Sequence, residues 1–340
     1  MTPITPVFLA VHRITSLRCG EKEAVLTAVR TESGFSMLDK DRLSRVAGRG
    51  LKIRSFDPAA LLRAGEQDLR ICETRGIRIL PVWSTGYPPL LRETFDPPFL
   101  LFVRGEIAPP DAPQCAVVGT RHPSEAARRE ARRFASDLAG HGIPVVSGLA
   151  AGIDGEAHRG AVDACGHTTA VLGSGIDTLY PASHRSLAGR MLESDGAIVS
   201  EYPPGTPPLK HHFPQRNRII SGLSRWVVLM EAPEHSGALI TADYALDQGR
   251  ELCVHSVGVS AGPAAAGTRA LSDEGARIVA GASDLYEDPA DSAYAEHAAG
   301  NRGGSVRPAH SRADIGTLLA RSLQHELALT HNQGSTLHGN

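Results

Sequence analysis

The sequence has no excess of positive charge, because its 340 residues include 35 lysines and arginines against 37 aspartates and glutamates. A protein that wraps nucleic acid through its overall charge is strongly basic, so any nucleic-acid site in this chain must be a local patch. Lysine is scarce beyond residue 60, where Lys210 is the only one. The cations in that part of the chain are therefore almost all arginines.

Cysteines spaced for a metal site or a redox pair are also missing. The sequence holds five scattered cysteines, at positions 19, 72, 115, 165 and 253. No apolar run reaches the length of a membrane span, and the first residues, MTPITPVFLAVHRI, lack the basic region and long apolar run of a signal peptide. We therefore expect a reduced cytoplasmic protein that binds no metal and does not contact a membrane.

Familiar catalytic signatures are absent as well. The sequence has no complete G-x-G-x-x-G fingerprint, no Walker lysine motif and no G-x-S-x-G elbow. We therefore predict no catalytic residues and no cofactor. Glu201 and Glu231 each follow a predicted strand, which leaves a Rossmann-fold nucleotide hydrolase or phosphoribohydrolase open as an alternative function.

The chain divides into three parts by its hydrophobic pattern. Residues 75–288 alternate between short apolar runs and amphipathic segments, which predicts an α/β domain whose mostly parallel sheet has helices on both faces. Residues 1–74 have apolar residues at helical spacing, with Asp57 and Pro58 at a helix start, and predict a small all-helical domain. Residues 289–340 indicate a polar linker and one short helix over 311–330.

Several predicted strands end in turns that are rich in glycine and small hydroxyl residues. Ligands of parallel sheets bind at the carboxyl ends of strands, where such turns let backbone and helix N-termini approach an anion. The first turn also carries an arginine that can bind a phosphate through two hydrogen bonds. Taken singly, each turn also fits an ordinary connection. Together they predict a phosphate site formed by Gly119, Thr120, Arg121, Ser147, Gly148, Gly152, Gly173, Ser174, Gly175, Ser236, Gly237 and Thr241.

The segment LKHHFPQRNRIISGLS gives the strongest signal, and we predict that it is a loop. Its binding candidates are Lys210, Phe213, Arg216, Asn217 and Arg218. Cations interleaved with an aromatic ring suit single-stranded nucleic acid, because the cations follow the phosphates and stacking on the ring contributes about 1–3 kcal/mol per base. Phe213 could instead pack inward, and one of Arg216 and Arg218 is expected to be structural, since alternate residues can point in opposite directions.

Six strings of the sequence resemble one known family. VVGTR, VSGLAAGIDGEAHRGA, TAVLGSGIDTLYP, SEYPPG, FPQRNRIISGL and SGALITADYAL occur in this order and at compatible spacing. Together they resemble the DNA-processing protein A family (DprA, also called Smf). The resemblance covers roughly residues 77–285 and, more loosely, the helical N-terminal part.

This resemblance implies an extended Rossmann fold, preceded by a helical domain of the SAM or helix–hairpin–helix type, and no enzymatic activity. It implies a homodimer that binds single-stranded DNA without sequence preference and loads RecA recombinase onto incoming DNA in natural transformation, displacing single-strand-binding protein. By similarity, Arg121 would be the main phosphate clamp. Lys210 and Phe213 would match the family's basic and stacking positions.

The sequence departs from the family pattern near the far end of the predicted fold. Gly267–Thr268–Arg269 stands where the family has Gly–Thr–Asn, and HSVG stands where a Pro–Gly turn is common. We expect dimer and RecA contacts in this region, so the departures bear on those contacts more than on the DNA site. Many members carry a C-terminal winged-helix domain, and we expect no complete one here, because the residues after Asp288 are few and polar.

Two readings remain open beside single-stranded DNA binding. One is the hydrolase named above, and the other is a binding module that senses a nucleotide without binding DNA. The arginine-rich segment with Arg128, Arg129, Arg132 and Arg133 is more often a solvated helix face, but it could also extend a DNA path.

Overall fold

Five helices make up the N-terminal segment of the computed structural model, which describes residues 4–29, 31–53, 55–260 and 262–286. They are α1 (Pro6–His12), α2 (Cys19–Val29), α3 (Glu32–Ser36), α4 (Lys40–Ala47) and α5 (Pro58–Thr74). The side chain of Asp57 accepts a hydrogen bond from the backbone N–H of Ala60 and caps α5, whose first residue is Pro58. The helical N-terminal segment and this helix start are as predicted.

Strands and helices then alternate along the chain. The first strands are β1 (Arg78–Pro81) and β2 (Leu100–Gly105), with α6 (Pro89–Arg92) between them. The regular alternation that follows consists of β3 (Cys115–Val118), α7 (Glu125–Gly140), β4 (Val145–Ser147), α8 (Ile153–Asp163), β5 (Thr168–Leu172), α9 (Arg185–Glu193), β6 (Ala197–Ser200), α10 (His212–Leu223), β7 (Trp226–Leu229), α11 (Gly237–Asp247), β8 (Glu251–His255), α12 (Ala266–Asp273) and β9 (Arg277–Val279).

The nine strands form one sheet in the order β1-β2-β6-β5-β4-β3-β7-β8-β9. All neighbours from β6 to β9 are parallel, whereas β2 is antiparallel to both β1 and β6. The predicted mostly parallel sheet is confirmed. Because β3 to β8 share one direction, the loops that follow them lie at one edge of the sheet, where ligands of this architecture bind.

Both faces of the sheet are buried, as the short continuous apolar strands predict. Along β3, Cys115 and Val117 belong to one hydrophobic cluster with α7 and α8, whereas Ala116 and Val118 belong to the other. The second cluster contains residues of α9, α10 and α11 and also residues of the N-terminal helices. The N-terminal helices therefore share a hydrophobic core with one face of the sheet.

Two details differ from the sequence-based expectations. The segment from His212 to Leu223 is a helix, α10, and not a loop. The short strand β9 has no counterpart in the predicted strands, because its three residues give too little alternation to read.

The predicted linker and tail helix of residues 289–340 lie outside the described residues. Within the described residues, no helix is long and apolar enough to cross a membrane.

The buried imidazole of His158, on α8, makes stability depend on pH. Its Nδ1 lies 2.8 Å from the Thr168 hydroxyl oxygen, and burial lowers its pKa from 6.5 to about 3. In the unfolded chain His158 is protonated near pH 6.5, whereas in the folded protein it stays neutral down to about pH 3. The free energy of unfolding therefore decreases as the pH falls below 6.5. We expect this group to cost about 2 kcal/mol of unfolding free energy between pH 7 and pH 5.

Urea denaturation of the wild type and of His158→Gln at both pH values checks this. The variant should show a smaller loss by about that amount, while His235→Gln, at an exposed position, should behave like the wild type. Equal losses in all three proteins would contradict the assignment.

Candidate functional site

A cavity of about 680 Å³ opens at the carboxyl edge of the sheet, beside the ends of β3 and β7. The loop after β3, the start of α10 and the start of α11 form its walls. Ten of the residues predicted for the site line it: Gly119, Thr120, Arg121, Lys210, Phe213, Arg216, Asn217, Ser236, Gly237 and Thr241. Distant segments of the sequence thus meet at one place, as the strand-end argument predicts.

The loop after β3 is held from two sides. The Thr120 N–H donates to the backbone carbonyl oxygen of Glu231 at 2.8 Å, and the N–H of Ser124 donates to the Glu231 carboxylate at 2.6 Å. A side chain at Gly119 would press on the backbone of Glu231 and on Ile153. Glu231 therefore orients this loop, and it is not among the residues that line the cavity.

Gly152 supports the same loop from the neighbouring turn. Its φ of +82° is in the left-handed region, and a Cβ there would overlap the carbonyl groups of Thr120 and Arg121. Gly152 is not a lining residue and has a role in backbone packing, and its contact with phosphate stays a prediction.

Two of the cations that line the cavity are exposed. Arg121 is exposed, and its guanidinium carbon lies 5.4 Å from the centre of the Phe213 ring. Lys210 is also exposed. Among the residues that the structure describes, neither forms an ion pair. Because pairing with a carboxylate would compete with an anionic ligand, the absence of a partner favours anion binding.

The third cation of the cavity, Arg216, is buried. Its Nη1 donates to the Val171 carbonyl oxygen at 2.7 Å, and a Cβ at Gly148 would overlap its guanidinium. Burial lowers the pKa of Arg216 to about 10, and the nearby Asp154 carboxylate opposes this shift. Asp154 accepts a hydrogen bond from the Gly148 N–H at 3.2 Å. Arg216 thus joins the turn after β4 to the end of β5 while part of it still lines the cavity.

Arg218 is not among the residues that line the cavity, and it is the residue of the Arg216/Arg218 pair that has a structural contact. Its Nη2 lies 2.6 Å from both carboxylate oxygens of Glu201, and the Glu201 backbone carbonyl oxygen lies 2.8 Å from Nε2 of His12. Arg216 and Arg218 are two residues apart on a helix and point in different directions. Arg218 therefore links α10 to the N-terminal helices, and Glu201 is engaged in this ion pair.

The polar groups of the turn after β5 and of the end of β4 form hydrogen bonds within the protein. The Ser174 hydroxyl donates to the Thr178 carbonyl oxygen at 2.6 Å, the Gly175 N–H donates to Thr206, and the Ser147 hydroxyl donates to Val117 at 2.7 Å. A Cβ at Gly173 would approach the Phe213 ring at 3.0 Å. The cavity lining does not include the five predicted residues of these two segments, Gly173, Ser174, Gly175, Ser147 and Gly148. Their contacts support the neighbouring turns, and their binding to phosphate stays a prediction.

The N-terminus of α11 borders the opposite wall. The Ser236 side chain accepts from the Ala238 N–H at 3.2 Å, and the Asn217 amide donates to the Gly237 carbonyl oxygen at 3.2 Å. Thr241 is buried one turn later. These contacts fix the start of α11 against α10, and the positive end of the α11 dipole lies at the cavity.

Tyr180 is a lining residue that the sequence analysis missed. The residue is 48% exposed, and its ring centre lies 5.7 Å from the centre of the Phe213 ring. The available signal was an aromatic residue directly before Pro181, in the loop that follows a glycine turn. Without the fold, this position cannot be distinguished from a tyrosine on any exposed loop.

The arginines of α7 do not extend the cavity. Arg128 pairs with Glu156 at 3.3 Å, Arg129 pairs with Glu125 at 3.3 Å, and Arg133 pairs with Glu130 at 2.7 Å. Arg132 pairs with Asp163. Their charges are compensated on the helix surface, which supports the reading of a solvated face.

Comparison with known proteins agrees with this geometry. The family model for DNA recombination-mediator protein A matches residues 78–289, which include all lining residues of the cavity. The chain belongs to this family. Protein Smf from Escherichia coli is 43% identical over 284 residues, which are 84% of this chain and 75% of that protein. DNA processing protein DprA from Bacillus subtilis is 38% identical over 215 residues, which are 63% of this chain and 72% of that protein.

Solved structures of DNA-processing protein A give the same result. The one from Streptococcus pneumoniae has 30% identity and a TM-score of 0.66, covering 84% of this chain and 99% of that chain. The structure from Helicobacter pylori has 26% identity and a TM-score of 0.53. The match covers 60% of this chain and 91% of that chain. That second structure is described as showing a single-stranded DNA binding mode of the Helicobacter pylori protein. The resemblance drawn from the six strings is confirmed.

The ion pair between Arg218 and Glu201 yields a stability prediction for this member of the recombination-mediator family. Arg218→Met should lower the free energy of unfolding by about 3 kcal/mol, because it leaves a partly buried carboxylate without its partner. The double variant Arg218→Met/Glu201→Gln should recover most of that loss. Urea denaturation at neutral pH measures both values. Equal stabilities of the single and double variants would contradict a direct pairing effect.

Proposed function

We propose that this protein binds single-stranded DNA without sequence preference and that the cavity at the carboxyl edge is the binding site. The observation that carries the proposal is that Arg121 and Lys210, which form no ion pair with any described residue, lie beside the rings of Phe213 and Tyr180. Cations that follow phosphates and rings that stack on bases are the two elements of sequence-tolerant single-strand binding.

The electrostatics of the cavity support a phosphate ligand. Three cations line it, Arg121, Lys210 and Arg216, against one carboxylate, Asp154. The N-terminus of α11 adds the positive end of a helix dipole. The lining of this cavity therefore carries an excess of positive charge in a chain whose formal net charge is −2.

We propose further that the protein acts without catalysis. The two carboxylates considered for a hydrolase are engaged elsewhere, since Glu201 pairs with Arg218 and Glu231 accepts from the Ser124 N–H. The remaining carboxylate, Asp154, is buried and bonded to backbone, and burial raises its pKa. None of these three carboxylates is an exposed acid–base group beside Arg121 and Lys210.

A mononucleotide sensor is distinguished from a single-strand binder by competition. If the cavity follows a polynucleotide, mononucleotides should compete poorly against a labelled oligonucleotide, and no cleaved or dephosphorylated product should form. Strong competition by a mononucleotide would favour the sensor instead.

We also propose that the protein is a cytoplasmic homodimer that loads RecA recombinase onto incoming single-stranded DNA. In natural transformation this would displace single-strand-binding protein. The support for this proposal is family membership and the resemblance of the motifs, with the single-strand cavity as its physical basis.

The binding proposal predicts how two variants respond to salt. Arg121→Ala and Lys210→Ala should each weaken binding to oligonucleotides of any sequence. Each should also reduce the slope of log affinity against log salt by about 0.7 to 1, because one phosphate contact is lost. Fluorescence anisotropy with labelled oligo-dT over a salt series measures both quantities.

The matched control is Arg129→Ala, which removes an exposed arginine that is paired with Glu125 on α7. This variant should leave both the affinity and the slope close to the wild-type values. Unchanged affinity in the Arg121 and Lys210 variants would refute the cavity assignment. Equal affinity of the wild type for single- and double-stranded oligonucleotides would argue against the proposed function as a whole.

The proposal that the protein loads RecA predicts faster ATP hydrolysis by RecA on DNA that single-strand-binding protein already covers. RecA ATP hydrolysis on single-stranded DNA coated with single-strand-binding protein should start earlier when the wild-type protein is added. Arg121→Ala should give no such acceleration, whereas Arg129→Ala should act like the wild type. Light scattering during size-exclusion chromatography checks the dimer. No acceleration by the wild type would limit the proposed function to DNA binding.

A further inference from the structure

A second concentration of positive charge lies in the N-terminal helices, in the segment of residues 40–53. This segment has five cations and one acidic residue, Asp41, and the cations are Lys40, Arg42, Arg45, Arg49 and Lys52. None of these residues lines the cavity at the carboxyl edge. A chain with a formal net charge of −2 therefore has a basic region that the proposed single-strand site does not use.

The helix α4 turns two of these cations toward solvent. Leu43 is completely buried, and Val46 and Ala47 pack against the hydrophobic core, so this face of α4 is directed into the protein. Arg42 and Arg45 are three residues apart and both are exposed, which places them one turn apart on the outer side. Neither forms an ion pair with a described residue. Both are thus available to an anionic ligand.

The turn after α4 is held by Arg49, whose guanidinium is used within the protein. Its Nε donates to one oxygen of the Glu21 carboxylate at 2.6 Å. Its Nη2 donates to the other oxygen at 2.9 Å and to the Ser16 carbonyl oxygen at 2.8 Å. Arg49 thus anchors the backbone that leads to Lys52, which is exposed and forms no ion pair with a described residue.

The start of α2 is closed to anions, although a helix N-terminus otherwise attracts them. The N–H of Cys19 donates to the Asp96 carboxylate at 3.0 Å, and the N–H of Arg18 donates to the Glu21 carboxylate at 2.8 Å. Two carboxylates therefore occupy the place that an anionic ligand would take. Within the N-terminal helices, the exposed cations on and after α4 offer the better contact.

The α4 surface, formed by Arg42, Arg45 and Lys52, has no ring on which a base could stack. Phe35 is the only aromatic residue between positions 31 and 53, and it is completely buried. Sites for single strands combine cations with stacking rings, whereas a duplex keeps its bases stacked on one another and presents its phosphates. Because the apolar face of α4 packs on the protein, it is also not free to insert into a lipid bilayer. Cations without a ring fit the backbone of a duplex.

We propose that the α4 surface binds the phosphate backbone of duplex DNA without sequence preference, at a site separate from the cavity. This inference goes beyond the proposed binding of single strands, and its test does not depend on the cavity. Three cations make few phosphate contacts. We therefore expect duplex binding to be weaker than single-strand binding at the same salt concentration, and to fall as salt is added.

The test measures the fluorescence anisotropy of a labelled blunt duplex and of labelled oligo-dT, from about 50 mM salt upward. Arg42→Ala/Arg45→Ala should lower the affinity for the duplex about tenfold and reduce its salt slope by about 1.8, because two phosphate contacts are lost. The affinity for oligo-dT should stay within about twofold, since the cavity is unchanged. Arg42→Lys/Arg45→Lys keeps both charges and should restore the duplex affinity to within about threefold.

The matched control is Arg70→Ala/Arg129→Ala, which removes the same amount of charge at two other exposed arginines. Arg70 pairs with Glu66 on α5, and Arg129 pairs with Glu125 on α7. This variant should change neither the duplex affinity nor its salt slope. Arg121→Ala, in the cavity, should weaken the binding of oligo-dT and leave the duplex affinity at the wild-type value.

The possible results separate this inference from the proposed function. An unchanged duplex affinity in Arg42→Ala/Arg45→Ala, an equal loss in the control variant, or an equal loss for duplex and oligo-dT would each overturn the duplex site. A wild-type protein that does not bind the duplex at the lowest salt concentration would overturn it as well. A wild-type protein that binds the duplex but not oligo-dT would overturn the proposed function and support this inference.

Discussion

The buried guanidinium of Arg216 is the contact on which the arrangement of the cavity depends. It donates to Val171 at the end of β5, lies against Gly148 after β4, and sits near the carboxylate of Asp154 on α8. A buried cation is costly unless its hydrogen bonds and its charge are compensated, so these groups must meet at one distance and orientation. Because α10 carries Arg216, this requirement also fixes Phe213 and Asn217 at the cavity.

A second contact fixes the other side of α10. The ion pair of Arg218 with Glu201 lies on the face toward the N-terminal helices, where Glu201 also meets His12. The helix is therefore held by buried charge on one side and by a half-buried pair on the other. A helix clamped in this way presents Phe213 and Asn217 from a rigid element, and rigid elements place binding groups more accurately than loops do.

Much of the fold could be predicted from the sequence, because its signals are local. Continuous apolar strands such as CAVV and WVVL predict a sheet buried on both faces, and the strand-end rule brings Arg121, Lys210 and Gly237 to one edge. The direction of each side chain could not be predicted. Arg216 and Arg218 look equivalent in sequence, and the helical character of α10 was hidden by Pro214 and by the polar residues around it. Tyr180 was missed because exposure inside a cavity is a property of the assembled walls.

The glycines beneath the cavity have a consequence for how sequences of this kind vary. The protein's own packing requires three of them. A side chain at Gly119 would overlap Glu231, one at Gly148 would overlap Arg216, and one at Gly152 would overlap the carbonyl group of Thr120. A relative that had lost its ligand altogether would still need them in order to fold. The glycine signature therefore reports the architecture of the strand ends, whereas the exposed side chains at Arg121, Tyr180 and Lys210 are free to change with the ligand. A distant relative that keeps these exposed side chains is therefore expected to bind the ligand still, whereas one that keeps only the glycines is not.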